Sequence, residues 1–175
     1  GLGKALKTGF EYILSNCSPQ DIIITLDADN THPIETSKKM VEKIQAGADI
    51  VIASRYCPGA GELGLGLIRK TLSKIASFVF SIFFAYPEVK DYTSGYRAYC
   101  ARILLKMKNF YSENFITEIG FPAGTEILLK SFIFKPKIQE NSLVLRYDLK
   151  RGKSKIKLLS TIFSYLKLIL KLKFL

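Results

Sequence analysis

The sequence predicts an α/β domain built on a parallel sheet, and three observations predict it. Residues 22–26 and 49–54 are short, apolar and rich in β-branched side chains, the character of strands buried on both faces. Apolar residues at helical spacing precede each run. The composition, 175 residues with 48% hydrophobic and 23% charged, is that of one globular domain and excludes a disordered, collagen-like or disulfide-built chain.

The elements follow in order. Leu6, Phe10, Ile13 and Leu14 define a first helix that breaks around Pro19. The first strand stops at Asp27-Ala28-Asp29. Pro33 suits the first turn of a second helix, with Met40, Val41 and Ile44 as its buried stripe and Gly47 as its end. The second strand completes a helix, strand, helix, strand order, which implies parallel pairing. Four glycines within residues 58–66 predict a mobile loop, and a helix is expected over 69–86. Its apolar stretch of a dozen residues, 75–86, is too short for a bilayer that needs about 20, so it reads as buried or interfacial. Beyond it, 91–97 reads as a polar loop, 101–107 and 118–129 as helices, and 132–138 and 142–147 as strands.

Charge is concentrated at one end. The net charge is +11, yet residues 1–134 hold 15 basic and 13 acidic side chains, whereas residues 135–175 hold 11 and 2. A nearly balanced body with a basic end fits an anionic surface or substrate group met at that end and does not fit a protein that coats nucleic acid. Within 154–175, Lys157, Ser160, Thr161, Ser164, Lys167 and Lys171 recur at three- and four-residue steps among Leu, Ile, Phe and Tyr. That is a basic amphipathic helix, suited either to a membrane interface or to packing on the body with its lysines solvated. Cys17, Cys57 and Cys100 are odd in number and form no CxxC pair, as expected of free thiols in a reducing compartment and not of a metal cluster. No secretory signal is visible. The start at Gly1, reading directly into a helix with no strand before it, predicts a fragment whose upstream sequence is missing.

Asp27-Ala28-Asp29 is the sharpest chemical feature. Ligands of open α/β sheets bind outside the carboxyl ends of strands, and two carboxylates in an Asp-x-Asp step repel unless a cation lies between or beside them. Hard divalent cations prefer such oxygens and often share them with phosphates, so a metal–diphosphate site follows. The alternative is a solvated turn in which one Asp caps the next helix. Asp-x-Asp-x-Thr also matches haloacid-dehalogenase-like phosphatases, with Asp27 as nucleophile, Asp29 as acid/base and Thr31 in support. Those enzymes need a late acidic pair, and Glu113, Glu118, Glu126, Glu140 and Asp148 supply none that is adjacent.

Asp27-Ala28-Asp29 with His32-Pro33 and Glu35, then Asp49-Ile50-Val51-Ile52-Ala53-Ser54-Arg55-Tyr56, Arg69, and Asp91-Tyr92-Thr93-Ser94-Gly95-Tyr96-Arg97 resemble successive motifs of family 2 glycosyltransferases. The nearest branch is the dolichyl-phosphate mannosyltransferase-like, or polyprenyl-phosphate glycosyltransferase, group. Leu145-Arg146-Tyr147-Asp148-Leu149-Lys150 and Gly152-Lys153-Ser154-Lys155 resemble its closing motif, so the likeness runs from Gly1 to about Lys157. The resemblance implies a GT-A (Rossmann-like) fold, with a partial catalytic domain over 1–153, after which the basic amphipathic pattern of 154–175 gives the expected membrane-interfacial helix. About two βα units, each on the order of 30 residues, are expected to be missing before Gly1, which would leave the piece poorly stable and without nucleotide discrimination.

The activity implied is inverting transfer of a sugar from a nucleotide-diphosphate donor to a polyprenyl or dolichyl phosphate at the cytoplasmic face of a membrane. Asp27 and Asp29 would hold Mg²⁺ or Mn²⁺ against the diphosphate. Arg55 and Arg69 would contact phosphates, or else make surface salt bridges, and Ser94 and Arg97 belong to the substrate-binding motif. Asp91 is either the spare catalytic carboxylate or a loop residue ordering Thr93 and Ser94. Arg151, Ser154 and Lys155, with Lys153, would close over the lipid phosphate or form a solvated basic turn. Other members carry an Arg where this chain has Leu149, a role that passes to Arg146 or Arg151, and some carry an amide where it has Thr31. His32 reads as a helix-start residue or as support for the Asp pair, not as a base. In a different class, the same fold would serve as a non-catalytic binding module held to a membrane by its basic helix.

Overall fold

A computed structural model of the chain describes residues 1–150 and 158–173. The expected roles of Arg151, Ser154 and Lys155 therefore fall outside the described residues, as do those of Gly152, Lys153 and Lys157. In chain order the elements are α1 (Leu2–Leu14), β1 (Ile22–Thr25), α2 (Glu35–Gln45), β2 (Ile50–Ser54), β3 (Gly61–Leu63), α3 (Leu67–Phe83), β4 (Arg97–Cys100), α4 (Ala101–Tyr111), α5 (Pro122–Ser131), β5 (Ile138–Ser142), β6 (Val144–Arg146) and α6 (Leu158–Lys173).

The main sheet has the order β1-β4-β2-β5. The parallel-sheet expectation is corrected here: β2 pairs parallel with β5, but β4 runs antiparallel to both neighbours, with Arg97 opposite Thr25 on one side and Ile52 on the other. β4 escaped the sequence reading because it is four residues long, follows a polar loop without a break and carries a buried arginine. Its reversal matters for the site. It brings the 91–96 loop, which precedes β4, to the edge where β1 and β2 end.

Side-chain alternation along the strands divides the core. Ile50 and Ile52 face Phe10, Tyr99, Leu104 and Ile127 on the side covered by α1, α4 and α5, while Val51 and Ala53 face Met40, Ile44, Tyr96 and Leu143 on the side of α2. All five residues of β2 are buried, as an apolar run without alternation implies. α1 approaches the 118–119 segment so closely that a Cβ on Gly3 would lie 2.1 Å from the Glu118 carbonyl oxygen, so only glycine fits.

Other boundaries differ for local reasons. The glycine-rich stretch contains β3, which pairs parallel with β6, and Gly64 at φ 74° leaves this pair at a point where a Cβ would meet the Asp148 backbone at 2.5 Å. Residues expected to open a strand at 132 form a single 3-10 turn, and Lys135 in a left-handed conformation delays β5 to Ile138. α5 begins four residues after the expected start, at Pro122, whose fixed φ suits a first helical turn.

α6 packs on α5 and α3. Leu168 and Ile169 are buried in the core, and Tyr165 meets Phe80 edge-on at 5.4 Å. Two of its lysines turn to the protein: Lys171 donates to Thr117 and Glu118, and Lys173 to the Phe83 carbonyl. The outer side of α6 is apolar, with Phe163 72% and Leu170 60% exposed, and α3, on which it packs, exposes Ile75, Phe78 and Ile82. Among the described residues no helix is long and apolar enough to cross a membrane.

The anchor of this helical layer is Glu126, which has no exposed surface and accepts from the Thr117 and Glu118 amides at 2.9 Å and from Lys130 Nζ at 2.6 Å. Burial alone would push its carboxyl upward, but the bonds from Lys130, Thr117 and Glu118 outweigh that and hold it below the ordinary range. Replacing Glu126 by Gln leaves the Lys130 charge uncompensated and is expected to cost about 3–5 kcal/mol in denaturant unfolding. Because the folded value is depressed, this contribution is complete above the ordinary Glu value near 4.3 and is lost as pH falls through the folded one. The stability gap between the unaltered chain and Glu126→Gln therefore narrows on acidification; a gap that widens would contradict the assignment.

Candidate active site

The chain leaves β1 at the edge of the sheet and turns sharply. Thr25 Oγ1 donates to the Gly95 carbonyl at 2.8 Å, fastening the strand end to the loop before β4. The Asp27 amide donates to His32 Nδ1 at 3.0 Å, and the His32 ring stacks on Tyr96 at 4.8 Å between centroids. Tyr96 in turn donates its hydroxyl to the Pro33 carbonyl at 3.1 Å. Asn30 takes the left-handed conformation the turn requires, at φ 65°. These contacts make His32 a buttress of the turn. Burial pushes the imidazole below its usual range, and Asp27 and Asp29 oppose that shift.

Asp29 is held on both oxygens. Thr31 donates its amide at 3.2 Å and its hydroxyl at 2.6 Å to Oδ1, and Lys150 pairs with Oδ2. Burial raises the Asp29 carboxyl, but Lys150 and Thr31 outweigh it and keep the group below the ordinary range. Lys150 is raised, chiefly by its bond to Asp29. The Lys150 ammonium also lies 5.1 Å from the centroid of the Tyr147 ring, and the Tyr147 hydroxyl accepts from Arg69 at 2.8 Å. Asp29, Lys150, Tyr147 and Arg69 thus form a continuous polar wall.

Arg55, just past the end of β2, is occupied inside the protein. It donates to Asp91 through Nε at 2.8 Å and through a terminal nitrogen at 2.7 Å, and also to Thr93 and Ser73. Asp91 is fully buried and further accepts from the Thr93 and Ser94 amides. Burial pushes the Asp91 carboxyl up, yet Arg55 outweighs it and holds it low; Asp91 in turn holds the buried Arg55 charged. In this geometry Asp91 orders the loop through the Thr93 and Ser94 amides.

A cleft of about 740 Å³ brings Asp27, Asp29, Arg55, Arg69 and Ser94 together and gives α3 and α6 one wall through Leu72, Ala76, Ile162 and Tyr165. Asp91 and Arg97 are not among its lining residues. Arg97 is 1% exposed and donates to the Tyr92 and Gly124 carbonyls, so it braces the fold beneath the cleft. Arg146 pairs with Asp148 at 2.9 Å in an exposed bridge. Lys150 and Tyr147 line the cleft although sequence reasoning singled out neither. Their signal was weak, a lysine and a tyrosine inside a motif read for its arginines.

The residues present fit a divalent cation shared with a ligand. Asp27 and Asp29 offer hard oxygens in one cleft, and Asp29 Oδ2 already receives a cation, the Lys150 ammonium. No cluster of three or more His, Cys, Asp or Glu converges among the described residues, so phosphate oxygens and water would complete the shell. The same absence leaves a haloacid-dehalogenase-like site without its acidic pair among the described residues.

Residues 1–107 match the family described as Glycosyl transferase family 2. The polyprenol monophosphomannose synthase of Mycolicibacterium smegmatis is 36% identical over 107 residues, 61% of this chain and 39% of that protein. The dolichol-phosphate mannosyltransferase of Pyrococcus furiosus is 33% identical over 175 residues, 98% of this chain and 45% of its own. The undecaprenyl-phosphate mannosyltransferase of Micrococcus luteus is 35% identical over 110 residues, 59% of this chain and 41% of its own. The chain thus spans less than half the length of these relatives. With a match over more than half its residues, and with a mixed α/β fold consistent with GT-A that gathers those motifs at one sheet edge, the chain belongs to glycosyl transferase family 2.

Proposed function

We propose that the chain serves the transfer of a hexosyl group from a nucleotide-diphosphate donor to a polyprenyl or dolichyl phosphate, with inversion, in the presence of Mg²⁺ or Mn²⁺. The cleft carries this reading: two carboxylates and several cations lie at its polar end, and α3 and α6, apolar on their outer sides, form its wall. The names of the three relatives, all of which concern mannose and a polyprenol, dolichol or undecaprenyl phosphate, support the acceptor class.

A divalent ion held by Asp27 and Asp29 would offset the charge of the leaving diphosphate. The side chains of the chain do the rest. Thr31 pins Asp29 Oδ1, His32 fixes the Asp27 backbone, and Arg69 and Lys150 present positive charge to phosphate oxygens. A phosphate monoester has a second pKa near 6, so the attacking oxygen is already ionised at neutral pH and no general base is required. That agrees with Asp91, whose oxygens are consumed by Arg55 and the loop amides. Retention would need a further carboxylate free to attack the sugar, and Asp27 and Asp29 are the carboxylates that line the cleft among the described residues.

The lipid acceptor also gives the exposed faces of α3 and α6 a use. Lying in the interface of the cytoplasmic leaflet, they would let the phosphate reach the cleft while the prenyl chain stays in lipid.

Two outcomes are expected. Asp29→Asn lowers metal-dependent binding of a nucleoside-diphosphate hexose in equilibrium dialysis and reduces transfer to polyprenyl phosphate on the order of 100-fold or more; transfer that survives both this change and chelation would sink the metal-assisted reading. Phe78→Glu together with Phe163→Glu, at sites 67% and 72% exposed, releases the chain from anionic liposomes in flotation while its unfolding midpoint stays put. Undiminished flotation would count against the interfacial role of these helices.

A further inference from the structure

The Asp29–Lys150 contact has a consequence for how a divalent cation reaches the cleft. Lys150 follows a short turn, Tyr147–Leu149, whose backbone is held just before it and at its middle, and is closed by the Lys150 amide donating to the Tyr147 carbonyl at 3.3 Å. The Arg146 amide donates to the Thr31 carbonyl at 2.9 Å, and Asp148 sits against Gly64, where there is no room for a Cβ. With the backbone held, the four-carbon arm of Lys150 is the movable part. Its ammonium occupies Asp29 Oδ2, the oxygen that Thr31 leaves open. Two cations cannot share that oxygen at close range without strong repulsion, and the ammonium is the one on a flexible arm.

We infer that Lys150 is an internal counter-ion of the Asp27–Asp29 pair, exchanged for the divalent ion when that ion binds and thereby released to engage a phosphate group in the same cleft. The inference rests on the metal-dependent reading proposed above. Before exchange, the ammonium offsets one of the two formal carboxylate charges. After exchange, the ion neutralises the carboxylates and the ammonium is left facing the cleft, where Arg69 and Tyr147 already line the wall. An incoming diphosphate or lipid phosphate then receives the freed charge. Metal and phosphate ligand bind with positive coupling for this reason, and the coupling must be the same from either direction.

Mn²⁺ binding to the full 175-residue chain, read by electron paramagnetic resonance with no nucleotide sugar present, tests the exchange. Lys150→Met is expected to bind Mn²⁺ roughly tenfold more tightly than the unaltered chain, a coupling of about 1.4 kcal/mol, and Asp29→Asn more weakly. Affinity in Lys150→Met that is unchanged or lower, while Asp29→Asn still weakens binding, overturns the counter-ion role and leaves the metal site standing. Absence of Mn²⁺ binding to the unaltered chain and to Lys150→Met overturns both. A second measurement needs no variant at position 150: acylation of the Lys150 amine, followed by mass spectrometry, is expected to be slow without Mn²⁺ and faster with it, and fast throughout in Asp29→Asn. Reactivity of Lys150 that ignores Mn²⁺ in the unaltered chain overturns the exchange.

Discussion

A carboxylate with no exposed surface and a guanidinium only 10% exposed in its side chain join the end of β2, the loop before β4 and the middle of α3. Withdrawing the two charges of Asp91 and Arg55 from water costs several kcal/mol each, and the cost is offset only when geometry and additional hydrogen bonds are good. Here they are. Asp91 accepts from Arg55 side-chain and backbone nitrogens and from two loop amides, and Arg55 reaches on to Thr93 and Ser73. The loop so fixed gives Ser94 to the Ala53 carbonyl and receives Thr25 at Gly95, which stitches β1 and β2 together at the edge where ligands of α/β sheets bind. The polar end of the cleft is therefore preorganised before any ligand arrives, a precondition for electrostatic stabilisation of a developing charge.

The reversed strand makes this possible. A parallel β4 would send the 91–96 loop to the opposite edge of the sheet, far from the Asp27–Asp29 turn. Running antiparallel, β4 delivers Ser94 and Gly95 next to Thr25 and carries Tyr96 under the His32 ring. One strand direction thus decides whether His32 has a stacking partner, and through the His32 Nδ1 bond whether the Asp27 backbone is held.

Features that depend on local pattern were readable in the sequence. β1 and β2 declared themselves by unbroken apolar runs, α2 by its stripe and proline, and the Asp27–Asp29 turn by its position after a buried strand. Features that depend on partners distant in sequence were not. β3 hides among glycines because its pairing partner, β6, lies about eighty residues further on. β4 hides because Arg97, a poor strand marker, is buried against carbonyls of Tyr92 and Gly124. The resemblance implies a phosphate contact for Arg55, with a surface salt bridge as the alternative, and nothing in the sequence says that its partner is the buried Asp91, 36 residues on. Lys150 is silent in the sequence for a related reason: its significance is the oxygen it meets, 121 residues away.

The same distinction changes the meaning of the basic C-terminal end. Several of the cations counted there are spent within the protein, Lys150 on Asp29, Arg146 on Asp148, and Lys171 on Glu118 and Thr117. Lys135, Lys137 and Lys167 remain exposed among the described residues. A lysine near an anionic leaflet contributes about 1 kcal/mol and is screened by salt, whereas a buried Leu, Ile or Phe side chain contributes about 1.5–3 kcal/mol with little salt dependence. For the proposed interfacial surface, Ile75, Phe78 and Ile82 of α3 with Phe163, Leu166 and Leu170 of α6 outweigh the lysines even when each is only partly immersed. Charge then sets which leaflet is favoured, and apolar area sets whether the chain stays. Since Leu168 and Ile169 on the opposite side of α6 are fixed in the core, the depth of that immersion is limited by the body of the domain and not by the length of the helix.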